Sequence, residues 1–159
     1  MWFWNGIARL GEGALVLGLA GVGGFEAVRG RARGKRNGPV LLSWVGVPAA
    51  LALTHWLKHW VDRPRPFQVD PALGWVSAEA GKSFPSGHTT AAFALATALA
   101  IRWPKGSPVW FGLAIGVGAS RIALGTHWPS DVVAGALVGF GIVVSLGWLE
   151  LRFRATRGG

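Results

Sequence analysis

The residues best suited to chemistry stand in polar islands between long apolar runs. One island is Ser120-Arg121-Ile122-Ala123-Leu124-Gly125-Thr126-His127-Trp128-Pro129-Ser130-Asp131. An ionisable cluster beside a membrane-length apolar segment is costly and reads as functional. Proline suits the first turn of a helix, so a helix is expected to start near Pro129, with Asp131 in its first turn. From there the carboxylate can turn back and accept the proton on one ring nitrogen of His127. The other nitrogen is then left as a nucleophile or base. Arg121 would bring positive charge to an anionic substrate.

Two further islands supply partners. In Lys58-His59-Trp60-Val61-Asp62-Arg63-Pro64-Arg65-Pro66, the prolines end any helix and hold Arg65 in an extended turn. Pro85-Ser86-Gly87-His88 opens a long apolar run. The backbone N–H groups of Ser86 and Gly87 are expected to point outward at a helix N-terminus and form an anion site. Gly87 permits close backbone approach to a ligand. A lysine, two arginines and a helix N-terminus converging on one point suit a phosphoryl group with its anionic oxygens. His127, oriented by Asp131, would attack phosphorus in line. His88 would protonate the leaving oxygen and then deprotonate the water that hydrolyses the phosphohistidine.

These islands need elements to hold them. Of 159 residues, 51% are hydrophobic and 14% charged, against about 25% charged in a typical soluble domain. Mean hydropathy is +0.39. There are 25 glycines and 10 tryptophans, types favoured in membrane helices and at membrane interfaces respectively. Five apolar stretches are visible, at about 10–28, 39–57, 83–101, 106–120 and 132–149. The first is the weakest, with Glu12 and Glu26 near its ends. The third opens with Ser-Phe-Pro-Ser-Gly-His, too polar to face lipid. Amphipathic helices of a soluble protein would show a polar face, and these stretches do not. The expected fold is all-α: a helical membrane bundle of about five transmembrane helices, one domain over 1–159 with its catalytic core at about 39–151.

Five crossings put ten basic residues on one side: Arg29, Arg31, Arg33, Lys35, Arg36, Arg102, Lys105, Arg152, Arg154 and Arg157. The other side holds six: Arg9, Lys58, Arg63, Arg65, Lys82 and Arg121. The positive-inside rule assigns the ten to the cytoplasm, so all three islands share the extracytoplasmic face of the cell membrane. The start lacks a basic n-region ahead of an apolar core, so the first span is expected to serve as its own insertion signal. A net charge of +9 does not indicate nucleic acid, because the basic residues alternate with apolar spans instead of forming one stripe. With no cysteine there is neither a disulfide framework nor thiol chemistry. Gly112-x-x-x-Gly116 and Gly135-x-x-x-Gly139 have the spacing of close helix contacts, though so many glycines produce it easily by chance.

Together, Lys58-x6-Arg65-Pro66, Pro85-Ser86-Gly87-His88 and Ser120-Arg121-x5-His127-x3-Asp131 resemble the three-part signature of the type 2 phosphatidic acid phosphatase superfamily, in order and spacing. The resemblance covers Lys58 to Asp131. It implies metal-independent, cofactor-free hydrolysis of a phosphomonoester or diphosphate through a phosphohistidine. Lys58, Arg65, Ser86, Gly87 and Arg121 would bind phosphate, His88 would be the acid/base, His127 the nucleophile and Asp131 its orienting partner. Membrane members of the family commonly have six spans, one more than is visible here.

Other readings are weaker. His59 stands between interfacial tryptophans, and Arg63 either assists phosphate binding or is solvated. A metal site from His88, His127 and Asp131 would meet repulsion from Lys58, Arg65 and Arg121, and no familiar ligand spacing is present. A non-catalytic lipid carrier or scramblase on the same scaffold would need no nucleophile, and haloperoxidase chemistry would need vanadate. An outward-facing site favours polyprenyl phosphates or diphosphates as membrane lipid substrates, with phosphatidylglycerophosphate and phosphatidate as alternatives.

Overall fold

The computed structural model describes residues 38–73 and 81–157. The expected first span and the cluster Arg29–Arg36 lie outside the described residues. Those that are described are mostly helical, with no strand among them. In chain order they form α1 (Gly38–Trp60), a short α2 (Pro66–Val69), a 3-10 turn (Pro71–Leu73), α3 (Gly87–Arg102), a second 3-10 turn (Pro104–Gly106), α4 (Ser107–Ala123) and α5 (Pro129–Arg157).

Local sequence sets these boundaries. The chain leaves α1 before the two prolines, and Pro66 opens α2. Ser86 is the N-cap of α3: its Oγ accepts from Thr89 N at 3.4 Å and Thr89 Oγ1 at 3.0 Å, meeting part of the unsatisfied donor set of a first turn. The third apolar stretch is therefore helical only from Gly87. Ser83 to Ser86 instead form a loop in which Ser83, Pro85 and Ser86 are buried and the Phe84–Pro85 bond is cis. α4 stops at Gly125, which adopts a left-handed φ of 66°, the usual device for ending a helix. α5 begins at Pro129, as the sequence leads one to expect.

α3 lies at the centre, packed against α1, α4 and α5, while α1 also packs on α5. The interior is made of small side chains. Ala91, Ala94 and Ala98 of α3 meet Val47 and Ala50 of α1 and Val143 of α5. Ala92 and Ala96 meet Ala114 of α4. Thr54 of α1 donates to Thr90 of α3 at 3.0 Å within this interior. The two glycine pairs differ. A Cβ on Gly135 would stand 2.6 Å from Ser86 O, and one on Gly139 would collide with Thr90 O and Ala94 N. α5 thus lies backbone-close on α3. Gly112 and Gly116 have nothing within 4 Å of an added Cβ, so that pair makes no close approach among the described residues.

Large apolar side chains point outward instead: Val109, Leu113 and Ile115 on α4, and Val133, Leu137, Leu151 and Phe153 on α5, are all more than half exposed. Small residues inside and large apolar ones outside is the arrangement of helices packed in lipid. Pro129–Phe153 is, among the described residues, the one helix long and apolar enough to cross a membrane, and only 17% of its most apolar stretch is buried within the protein. Trp128, just before it, and Trp148, near its far end, stand about 30 Å apart at helical rise, close to the thickness of a bilayer hydrocarbon core. With 16 and 17 residues, α3 and α4 run only about 24–26 Å.

Candidate active site

The helix ends assemble the three islands at one end of the bundle: the C-terminal ends of α1 and α4 and the N-terminal ends of α3 and α5. Past Gly125 the chain folds around the carbonyl of Arg121, which accepts from Thr126 N at 3.1 Å, His127 N at 3.2 Å and Thr126 Oγ1 at 3.0 Å. This turn seats His127, which is buried with Arg121, Arg65 and Asp131.

Each nitrogen of the His127 ring faces a different charge. Nε2 lies 3.4 Å from Arg65 Nη1. A guanidinium can only donate, so this contact needs an unprotonated Nε2. The network thereby assigns the proton of a neutral ring to Nδ1, which faces Asp131 Oδ2 at 3.6 Å. That separation is long for a hydrogen bond, and catalytic contacts commonly tighten only once substrate is bound. Asp131, in the first turn of α5, is held firmly from elsewhere. Oδ2 accepts from Ser83 Oγ and Trp128 N, both at 2.8 Å. Oδ1 accepts from Arg63 Nη1 at 2.9 Å.

Arg65 is fixed along its length. Its extended backbone donates through N–H to Gln68 Oε1 at 2.8 Å. Its Nε donates to Gly81 O at 3.1 Å and its Nη1 to Thr126 O at 3.0 Å. Lys58, in the last turn of α1, donates from Nζ to Lys82 O at 2.8 Å and Ser83 O at 3.3 Å, next to the loop that holds Asp131. The first island also pairs through backbone with the loop ahead of the second, Ser83 N donating to Arg63 O at 2.9 Å. Trp128 Nε1 donates to Pro64 O at 3.0 Å, tying the first island to the third.

One expectation is corrected. Ser86 N–H does not face an anion: it donates to Asp131 O at 3.0 Å, because the close packing of α5 on α3 brings that carbonyl to it. Gly87 and His88, the first two residues of α3, carry N–H groups that have no acceptor within the helix. His88 is half-buried there. The fold thus gathers His127, Asp131, Arg65 and Ser86 at one place, His127 beside Arg65 and facing Asp131 at 3.6 Å, Ser86 bonded to Asp131, with Arg121 joined through its carbonyl and Lys58 through Ser83.

Sequence reasoning missed Ser83 and Gln68 and left Arg63 undecided. A signal for Arg63 was present: prolines at 64 and 66 enforce extended backbone, in which residues two apart share a side, so Arg63 should face the same way as Arg65. Both do reach the third island. His59 is exposed, and only its carbonyl takes part, accepting from Lys82 Nζ at 3.3 Å.

Comparison with known proteins decides the family: the PAP2 superfamily model matches residues 39–155. The chain belongs to the PAP2 superfamily. It is 31% identical over 152 residues to a lipid A 1-phosphatase of Rhizobium etli, covering 87% of this chain and 60% of that protein. It is 35% identical over 119 residues to the undecaprenyl-diphosphatase BcrC of Bacillus subtilis, covering 72% of this chain and 57% of that one. The chain therefore spans less than two thirds of the length of these relatives. Its fold matches the crystal structure of a transmembrane PAP2-type phosphatidylglycerolphosphate phosphatase from Bacillus subtilis with a TM-score of 0.71 and 27% identity, over 94% of this chain and 76% of that one. The all-helical bundle is thus that of PAP2 membrane phosphatases.

Proposed function

We propose that this PAP2 protein is an integral membrane lipid phosphatase working through a phosphohistidine on His127. The observation that carries the reading is the seating of that ring, with Nε2 beside the Arg65 guanidinium and Nδ1 toward Asp131. The Nε2 lone pair attacks phosphorus and forms the P–N bond as the P–O bond to the lipid oxygen breaks, or, in a diphosphate, the bond from the terminal phosphorus to the bridging oxygen, which leaves on the lipid-attached phosphate. His88 gives its proton to the departing oxygen. Water then attacks the phosphohistidine, His88 takes its proton, the P–N bond breaks and phosphate leaves. Arg65, Lys58, Arg121 and the N–H groups that open α3 balance charge on the phosphoryl oxygens. Ser86 serves by capping that helix and by fixing Asp131 through its amide. No cofactor is required by this chemistry.

The chain acts as a single membrane-embedded unit. The outward-facing apolar surface of α4 and α5 supports burial in a bilayer. The ten-to-six bias of basic residues supports five crossings with the site on the extracytoplasmic side. Among substrates we favour a polyprenyl phosphate or diphosphate, supported by the likeness to BcrC. Phosphatidylglycerophosphate and phosphatidate are alternatives, and the Rhizobium etli relative adds lipid A carrying a 1-phosphate.

The test is phosphate release by purified protein in EDTA, across undecaprenyl diphosphate, phosphatidate, phosphatidylglycerophosphate and lipid A. Wild type is expected to turn over at least one, and His127→Ala none, while the variant still inserts in membrane. Undiminished turnover in the variant would sink the phosphohistidine. Lipid transfer between leaflets without hydrolysis would establish the carrier reading instead.

A further inference from the structure

We propose that Arg63 is a positioning residue that sets the His127 ring through Asp131, and is not a ligand of the substrate phosphate. The proposal rests on the phosphohistidine reading above. Asp131 has no solvent exposure. A carboxylate in such a place needs a countercharge and filled lone pairs. Arg63 supplies the charge at 2.9 Å on Oδ1, while Ser83 Oγ and Trp128 N hold Oδ2. With Oδ1 fixed by the guanidinium, the carboxylate cannot rotate about its axis, and Oδ2 stays turned toward His127 Nδ1.

The remaining contacts of Arg63 point the same way. Its Nη1 also donates to Ser130 Oγ at 2.6 Å, and its guanidinium carbon lies 5.3 Å from the centre of the Trp128 ring, within cation–π range. Three partners around the start of α5, Trp128, Ser130 and Asp131, are thus engaged by one side chain from the first island. The guanidinium is spent on the residues that orient His127, whereas that of Arg65, two residues on, reaches Nε2 itself.

The test uses the purified full chain with undecaprenyl diphosphate, and wild type, Arg63→Ala, Arg63→Lys, Asp131→Asn and the double variant. If Arg63 orients His127, Arg63→Ala lowers kcat by between about ten- and a hundred-fold, the range for misplacing a reacting group by up to 1 Å. KM and inhibition by inorganic phosphate change less than about two-fold, and Arg63→Lys recovers much of the loss. In the Asp131→Asn background, Arg63→Ala removes less than about a further two-fold, since residues acting through one contact are not additive. A tenfold weaker inhibition by phosphate with kcat preserved, or full multiplication of the two effects, would overturn the proposal. If Arg63→Ala does not accumulate, Arg63→Gln carries the same comparison.

Nitrogen-15 spectra of the labelled histidine ring give a readout independent of turnover. Wild type should show the Nδ1–H tautomer at His127, and Arg63→Ala a mixture of both tautomers. An unchanged His127 spectrum in Arg63→Ala overturns the proposal. A wild type that hydrolyses no lipid phosphate refutes the phosphatase reading alone, and the ring spectra still decide the role of Arg63.

Discussion

Gly135→Ala tests whether the approach of α5 to α3 builds the site. The new methyl carbon would lie 2.6 Å from Ser86 O, 3.2 Å from Thr90 Oγ1 and 3.3 Å from Thr89 Cβ. Ordinary contact begins at 3.4 Å, so α5 and the start of α3 must separate by about 0.8 Å along that line. The obstacle is a carbonyl already accepting from Thr90 N and Thr90 Oγ1, both at 2.9 Å, not the free end of a side chain. Overpacking of this kind costs about 1–3 kcal/mol, and in a chain of this size each kcal/mol lowers Tm by about 2–4 °C. The same movement stretches the bond from Ser86 N to Asp131 O, which couples the two histidine-bearing segments. Displacements approaching 1 Å at a reacting centre cost up to about a hundred-fold in rate, so kcat should fall well beyond what partial unfolding explains. Phosphate release and a thermal melt in the same detergent measure both effects, with Gly116→Ala as the control, where an added Cβ meets nothing within 4 Å among the described residues. Wild-type kcat and Tm in Gly135→Ala, or equal damage from Gly116→Ala, would refute the coupling.

Asp131→Asn is expected to retain only trace turnover, on the order of 10⁻⁴ of wild type by analogy with the aspartate of hydrolase triads; a wild-type rate would disprove its orienting role. Ser83→Ala removes one of two donors on the Oδ2 that faces His127 and should lower kcat about tenfold with KM unchanged, checked by steady-state kinetics. Gly125→Ala forces an L-residue to the φ of 66° that ends α4; it should cost about 1–2 kcal/mol, seen as a lowered melting temperature.

How far the sequence could be read depended on whether a signal was local or tertiary. Pro129 announced the start of α5, and Pro64 and Pro66 announced the extended segment that aims Arg65; both are single-residue backbone constraints. The common location of the three islands followed from helix direction alone. Ser83 was invisible because a serine in a polar loop carries no mark of its partner, which lies 48 residues on. The Ser86 amide was misassigned for a related reason. A helix N-terminus exposes its N–H groups by default, and only the depth of the Gly135 contact reveals that a neighbouring carbonyl takes one of them. The two glycine pairs were indistinguishable by spacing, yet one sits in a helix contact and the other, among the described residues, does not.

Small interior residues and catalytic geometry are one design in this bundle. In lipid, helices gain little by burying large apolar side chains against one another, so association relies on close packing between small residues. The consequence reaches the site directly. Because no side chain separates α5 from α3 at Gly135 and Gly139, backbone groups at the two helix starts come within hydrogen-bond distance, and Ser86 N binds Asp131 O. That bond joins the helix end carrying His88 to the helix start carrying Asp131. Larger residues at those positions would not merely loosen the interior; they would part the two halves of the proposed acid–base and nucleophile pair. A substitution far out on the lipid-facing side, such as Leu137→Ala at a position 67% exposed, leaves this joint intact, and should leave kcat unchanged in detergent. If it lowers kcat as much as Gly135→Ala does, the geometry is set by the whole bundle and not by this contact.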